Sequence, residues 1–268
     1  MKRLILLLAC LLPVLAWGQY LGGGLAAKGA AVIPVAAAAP PAGESLLPTN
    51  IVDVTALAGW SADYCETNAS GQASNVFNLV VGSPVGNLTN YTGITKCPYT
   101  TNVLNGHRVF TFDGSDDILR CDTMPGGMAC SFAILANVGF SGTGLWRALS
   151  YGTAYWFARK ATTFYAYMFS QTASSIGDIF PTNQWRFYAG TINAETHIAL
   201  YTNNGTAYTL GVGTAPTAKF STMGRYTDAV EGFPAHYAEI WIFTNALSAA
   251  NVSNVFWYMT NRYGVQVQ

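Results

Sequence analysis

Three carboxylates within five positions, Asp113, Asp116 and Asp117, are the residues in this chain best placed to do chemistry. Hard cations take several carboxylate and carbonyl oxygens, so a loop that gathers three acids is a candidate calcium site. A local reading also accounts for them: Asp113-Gly114 makes a turn, and Asp116 or Asp117 accepts hydrogen bonds from amides of the same loop. Glycoside hydrolysis needs two carboxylates flanking the scissile bond. Glu195, Glu231 and Glu239 instead stand alone, and Glu239 reads as a hydrogen-bonding residue within the fold. His107, His197 and His236 are far apart and read as surface or strand residues. No Gly-x-Ser-x-Gly elbow supports a nucleophilic serine.

Aromatic side chains offer a second kind of chemistry. Trp146, Tyr151, Tyr155, Trp156, Tyr165 and Tyr167 crowd the middle third of the chain. Sugar C–H faces stack on such rings, and Tyr and Trp add a polar handle. A large sandwich core calls for big side chains too. Trp156 and Tyr165 are the candidate ligand-binding pair, because they belong to one expected hairpin and could face the same side of it.

The elements that must position these residues follow from the pattern. Lys2 and Arg3, the apolar run Leu4 to Leu15 and the small-x-small triplet Ala16-Trp17-Gly18 read as a cleaved export signal over 1–18. The apolar run is short for a bilayer span, so no transmembrane segment is expected after cleavage. Residues 19–47, rich in Ala, Gly and Pro, read as an extended tether. One domain is expected over 48–268, and the product is expected to be secreted, extracellular or at the cell surface. Cleavage removes two of 13 basic residues and leaves 11 against 13 acidic ones, with no basic stripe. Nucleic acid is therefore excluded as a partner.

Four cysteines remain after cleavage, Cys65, Cys97, Cys121 and Cys130. An even number in an exported chain points to disulfides, with three connectivities open. Pairing Cys65 with Cys97 and Cys121 with Cys130 closes the shortest loops.

Beyond the tether, strand patterns recur between turn signals. Phe132, Ile134, Ala136 and Val138 alternate with Ala133, Leu135 and Asn137. Residues 155–159 and 164–169 predict a hairpin, 185–192 a strand, and 196–202 with 207–210 a second hairpin around Asn203-Asn204-Gly205. Only the tail is helical: Ser248 caps it, Val252, Val255, Phe256 and Met259 form its apolar stripe, and Gly264 stops it. The pattern indicates a two-sheet antiparallel sandwich with a C-terminal helix.

The segment Asn105-Gly106 through Phe112-Asp113-Gly114 to Asp117 and Leu119 closely resembles the "NGxxxxxFDGxxD-L" stretch of laminin-G-like, concanavalin-A-like lectin/glucanase domains. Ala238-Glu239-Ile240-Trp241-Ile242-Phe243, then Ala246-Leu247-Ser248 and a helix ending at Tyr263-Gly264, resembles the end of the same domains. That resemblance implies an all-β jelly roll. Some such domains hold calcium at the sandwich rim, and others have these aspartates with no known metal. The related glucanases carry Glu-x-Asp-x-x-Glu on one strand, a pattern absent here. The resemblance therefore implies a secreted, non-catalytic module for a glycan or surface glycoconjugate, with no required cofactor. Two alternatives stand beside it: an adhesion protein of a surface or virion making protein contacts, and a diverged glycoside hydrolase.

Overall fold

A computed structural model of the chain describes residues 55–90, 98–121, 131–139, 145–151, 154–160, 165–168, 171–172, 183–192, 197–203, 206–212, 222–224 and 234–266. The strands in chain order are β1 (Ala56–Ser61), β2 (Cys65–Thr67), β3 (Ala73–Val76), β4 (Leu88–Asn90), β5 (Tyr99–Leu104) and β6 (His107–Asp113). They continue with β7 (Leu119–Arg120), β8 (Ser131–Val138), β9 (Leu145–Tyr151), β10 (Ala154–Lys160), β11 (Tyr165–Met168) and β12 (Gln171–Thr172). The last are β13 (Trp185–Ile192), β14 (His197–Thr202), β15 (Thr206–Val212), β16 (Thr222–Met223) and β17 (Pro234–Phe243), before the helix α1 (Ala249–Tyr263).

Two antiparallel sheets result. Sheet A has the order β15-β14-β13-β8-β17-β6-β5, and β1 also pairs with β17. The ten-residue β17 is long enough to serve two neighbours on one edge. Its first residues pair with β6 and its last with β1, so those two strands lie in line. Sheet B runs β12-β11-β10-β9-β16-β7-β4-β3-β2. The expected hairpins β10–β11 and β14–β15 both form. The Phe112-Asp113-Gly114 segment instead carries the chain from β6 in sheet A to β7 in sheet B. It is a crossover between layers rather than a hairpin turn.

Alternation along each strand of sheet A separates two apolar clusters. Phe110, Phe112, Phe132, Ile134, Tyr188, Tyr237 and Ile240 point toward sheet B, where Val76, Leu88, Leu119 and Leu149 meet them. Val109, Ala133, Leu135, Phe187, Trp241 and Phe243 point the other way and pack under α1. Sheet A is thus a middle layer, which explains why β8 is apolar on both faces. The helix presents Val252, Val255, Phe256, Met259 and Tyr263 to it. Ser248 accepts a hydrogen bond from the Asn251 amide at one end, and Gly264 adopts the left-handed conformation (φ 59°) at the other. A Cβ on Gly264 would also come within 2.8 Å of Asn105 Nδ2, so the stop signal doubles as a close contact.

The Asn105-Gly106 turn joining β5 to β6 has positive φ at both residues, as a tight hairpin requires. Asn105 Nδ2 then donates to the carbonyls of Tyr263 (2.6 Å) and Gly264 (3.0 Å), tying the turn to the helix end. Among the described residues, no helix is long and apolar enough to cross a membrane.

Candidate functional site

The three aspartates do come together. Asp113 ends β6, and one carboxylate oxygen from each of Asp113, Asp116 and Asp117 lies within 4.8 Å of the others. The loop is also held by its own amides: Ser115 N donates to Asp113 Oδ1 (2.7 Å), and Asp113 N donates to Asp117 Oδ2 (2.6 Å). Asp117 is buried at 3% exposure. Burial, with Asp113 and Asp116 adding negative charge, pushes its carboxyl up to about 6 against the pull of the Asp113 amide. The geometry could seat a hard cation on Asp113, Asp116 and Asp117, and it equally makes a self-bonded turn.

A second carboxylate site was only partly legible in the sequence. Glu239 is fully buried on β17. It accepts from Trp241 Nε1 through Oε1, and its Oε2 lies 2.9 Å from the Tyr263 hydroxyl and 3.2 Å from Arg262 Nη1. Arg262 Nη2 also reaches Asp63 Oδ2 at 3.1 Å, and the Tyr258 hydroxyl accepts from Nη1 at 2.9 Å. Asp63 in turn accepts from the Arg108 amide (2.9 Å) and lies 2.7 Å from His107 Nδ1. The Ser61 hydroxyl sits 2.9 Å from that of Tyr263. Burial pushes the Glu239 carboxyl up while the Arg262 guanidinium and its hydrogen-bond donors pull it down. The same anion holds Arg262 firmly protonated against its own desolvation. Glu239 thus has the internal hydrogen-bonding role expected of it. The parts played by Asp63, His107 and Arg262 have no local signal, because the contact of Asp63 with Arg262 spans nearly the whole domain.

No substrate can reach Glu239 as it stands: Trp241, Tyr263 and Arg262 enclose it in the seam between sheet A and α1. Glu195 and Glu231 lie outside the described residues. So do Cys97 and Cys130. Cys65 is a buried free thiol that donates to the Glu66 carbonyl at 3.0 Å, and burial pushes it up to about 12. No bridge to the expected partner is seen at Cys65, and Cys97 itself lies outside the described residues; Cys65 points into the apolar interior between the sheets, where the thiol packs as a small hydrophobe. Cys121 is buried too, with Sγ 3.8 Å from the Gly86 carbonyl.

Trp156 lies on β10, and Tyr165 opens β11 opposite Lys160. The strands that carry the expected ligand-binding pair are adjacent, and the two side chains lie outside the described residues. A cleft of about 350 Å³ opens elsewhere, beside the helix C-terminus, lined by Leu104, Asn105, Trp185, Arg186, Gly264 and Val265.

No protein-family model matches the sequence, and no curated protein matches it either. Solved structures do. Trypanosoma rangeli sialidase in complex with sialic acid aligns with a TM-score of 0.54 at 11% identity, over 79% of this chain and 34% of that one. Domain 4 of AbnA, a GH43 extracellular arabinanase from Geobacillus stearothermophilus in complex with arabinotriose, aligns with a TM-score of 0.50 at 15% identity. That match covers 75% of this chain and 98% of the arabinanase domain. The likeness is one of fold. This chain spans about a third of the sialidase, so the activity of the whole enzyme does not transfer with it.

Proposed function

We propose that this chain is a secreted, non-catalytic binding module of the laminin-G-like type, exported by residues 1–18 and tethered by 19–47, with a glycan or surface glycoconjugate as its ligand. The observation that carries this reading is the match to nearly the whole of an arabinanase domain, 98% of it, whose structure contains arabinotriose. A unit that aligns end to end with a separate saccharide-bound domain is suited to act as a module itself. The burial of Glu239 supports the non-catalytic part, since it withdraws the late-strand carboxylate from any cleft. Trp156 and Tyr165 remain the proposed stacking pair, and Asp113, Asp116 and Asp117 the proposed seat if calcium organises the rim.

A glycan array probed with the exported protein tests the reading. Binding to a saccharide without release of new reducing ends is the expected outcome, and replacing Trp156 or Tyr165 by alanine should remove stacking worth on the order of 1 kcal/mol. Hydrolysis of a bound oligosaccharide would favour the diverged glycosidase instead, which requires carboxylates about 5–10 Å apart in one cleft. An array without a single hit would favour the adhesion protein that makes protein contacts.

A further inference from the structure

Sheet A carries an uncharged polar row that the helix does not cover. Tyr99 pairs with Thr111, Thr111 with His236, His236 with Asn137 and Asn137 with Trp185, in unbroken register across five strands. Four of the five lie two residues from a position packed on the helix side: Val109 precedes Thr111, Leu135 precedes Asn137, Phe187 follows Trp185 and Ala238 follows His236. The row therefore shares the helix-facing side of the sheet but extends past the roof. Four inter-strand gaps of about 4.8 Å make it roughly 19 Å long, the length of a few sugar residues end to end.

Its chemistry is graded along that length. Rings stand at both ends: Tyr99 is 46% exposed, and Trp185 is half-buried against the apolar cluster beneath the helix. Between them lie hydrogen-bonding groups. Thr111 Oγ1 lies 3.1 Å from His236 Nδ1, which leaves Nε2 for another partner. The rings of Trp185 and His236 are 6.5 Å apart and tilted by 37°, flanking Asn137. Asn137 Oδ1 is buried, and among the described residues no hydrogen-bond donor reaches it. A buried acceptor left in that state costs free energy that an incoming hydroxyl could recover. Trp185 also forms one wall of the cleft beside the helix end, so row and cleft are continuous.

We infer that this row and cleft form a saccharide site for an uncharged oligosaccharide, with Tyr99 and Trp185 as stacking platforms and His236, Asn137 and Thr111 as hydroxyl partners. The inference rests on the glycan-binding reading and adds a site distinct from the Trp156–Tyr165 hairpin. The row itself offers no cation to an acidic sugar: burial keeps the His236 imidazole below its usual range. Arg186 at the cleft is already engaged by Gln184 at 3.2 Å. The Asp113 carboxylate sits two residues past Thr111 at the rim, where it repels acidic ligands.

The test is calorimetric titration of the exported protein with arabinotriose, cellotetraose, lacto-N-tetraose and 3′-sialyllactose, using wild type, Tyr99→Ala, Trp185→Ala, His236→Gln and Trp156→Ala. Tyr99→Ala and Trp185→Ala should each weaken binding of a neutral probe about five- to tenfold, and His236→Gln should weaken it less. Tyr99 is exposed, so its loss reports on the site even if Trp185→Ala misfolds. Unchanged affinity in Tyr99→Ala and His236→Gln, with binding lost in Trp156→Ala, would overturn this site and leave the glycan reading intact. Binding confined to sialyllactose would overturn the ligand class. Should wild type bind none of the probes and no glycan on an array, the glycan reading falls and this site falls with it.

Discussion

Two carboxylate sites in this molecule meet the same physical problem with opposite solutions. Glu239 is sealed in the seam under α1 and is given a guanidinium, an indole N–H and a phenol. Asp117, almost as buried, is given one backbone amide and two further acids. Burial raises both carboxyls; a cation and several donors oppose that rise at Glu239, whereas neighbouring like charges add to it at Asp117. The first arrangement locks the helix to the sheet. The second leaves a titratable group in a rim loop, able to respond to pH or to a cation.

The largest expected effect comes from breaking the locked site. Arg262→Met removes the cation shared by Glu239 and Asp63, and urea unfolding should show a loss of about 3–5 kcal/mol. Adding Glu239→Gln to that variant removes the stranded charge, so the double variant should be more stable than Arg262→Met alone. Equal or lower stability in the double variant would mean that the pair is not the connection holding α1 down.

The rim should respond more weakly and with a pH signature. Asp117 binds its proton more tightly in the fold than in the unfolded chain. Its contribution is therefore complete below about pH 4, the unfolded value, and is lost as pH rises through about 6. Across that window the wild type should lose roughly 2–3 kcal/mol that Asp117→Asn does not lose. Denaturant midpoints measured from pH 4 to 8 for both proteins check this, and parallel curves would refute it.

The smallest effect is expected from calcium. Because the rim loop is already held by its own amides, calcium at roughly 10 mM, above the range of weak extracellular sites, should leave the wild-type Tm and its glycan affinity unchanged. A rise in Tm that Asp116→Ala abolishes would instead make the rim a metal centre and sharpen its contrast with Glu239.

Much of the fold was legible locally. The strand 185–192, the alternation of β8 and the capped helix with its stripe are written in periodicity and cap chemistry. Short strands such as β2, β4 and β16 were not, because two or three residues carry no period and are defined by their neighbours. The aspartate cluster was visible because its members are adjacent in the chain. The clamp of Asp63, His107 and Arg262 was invisible for the opposite reason.

Sequence by itself determined the class of this protein: an all-β sandwich with one terminal helix, since alternation and capping act over a few residues. Tertiary structure alone decided which acid is paired with a cation, which cysteine is a buried thiol, and which side chains line up across sheet A. Those outcomes depend on burial and on register between strands far apart in the chain, and neither is encoded at any single position.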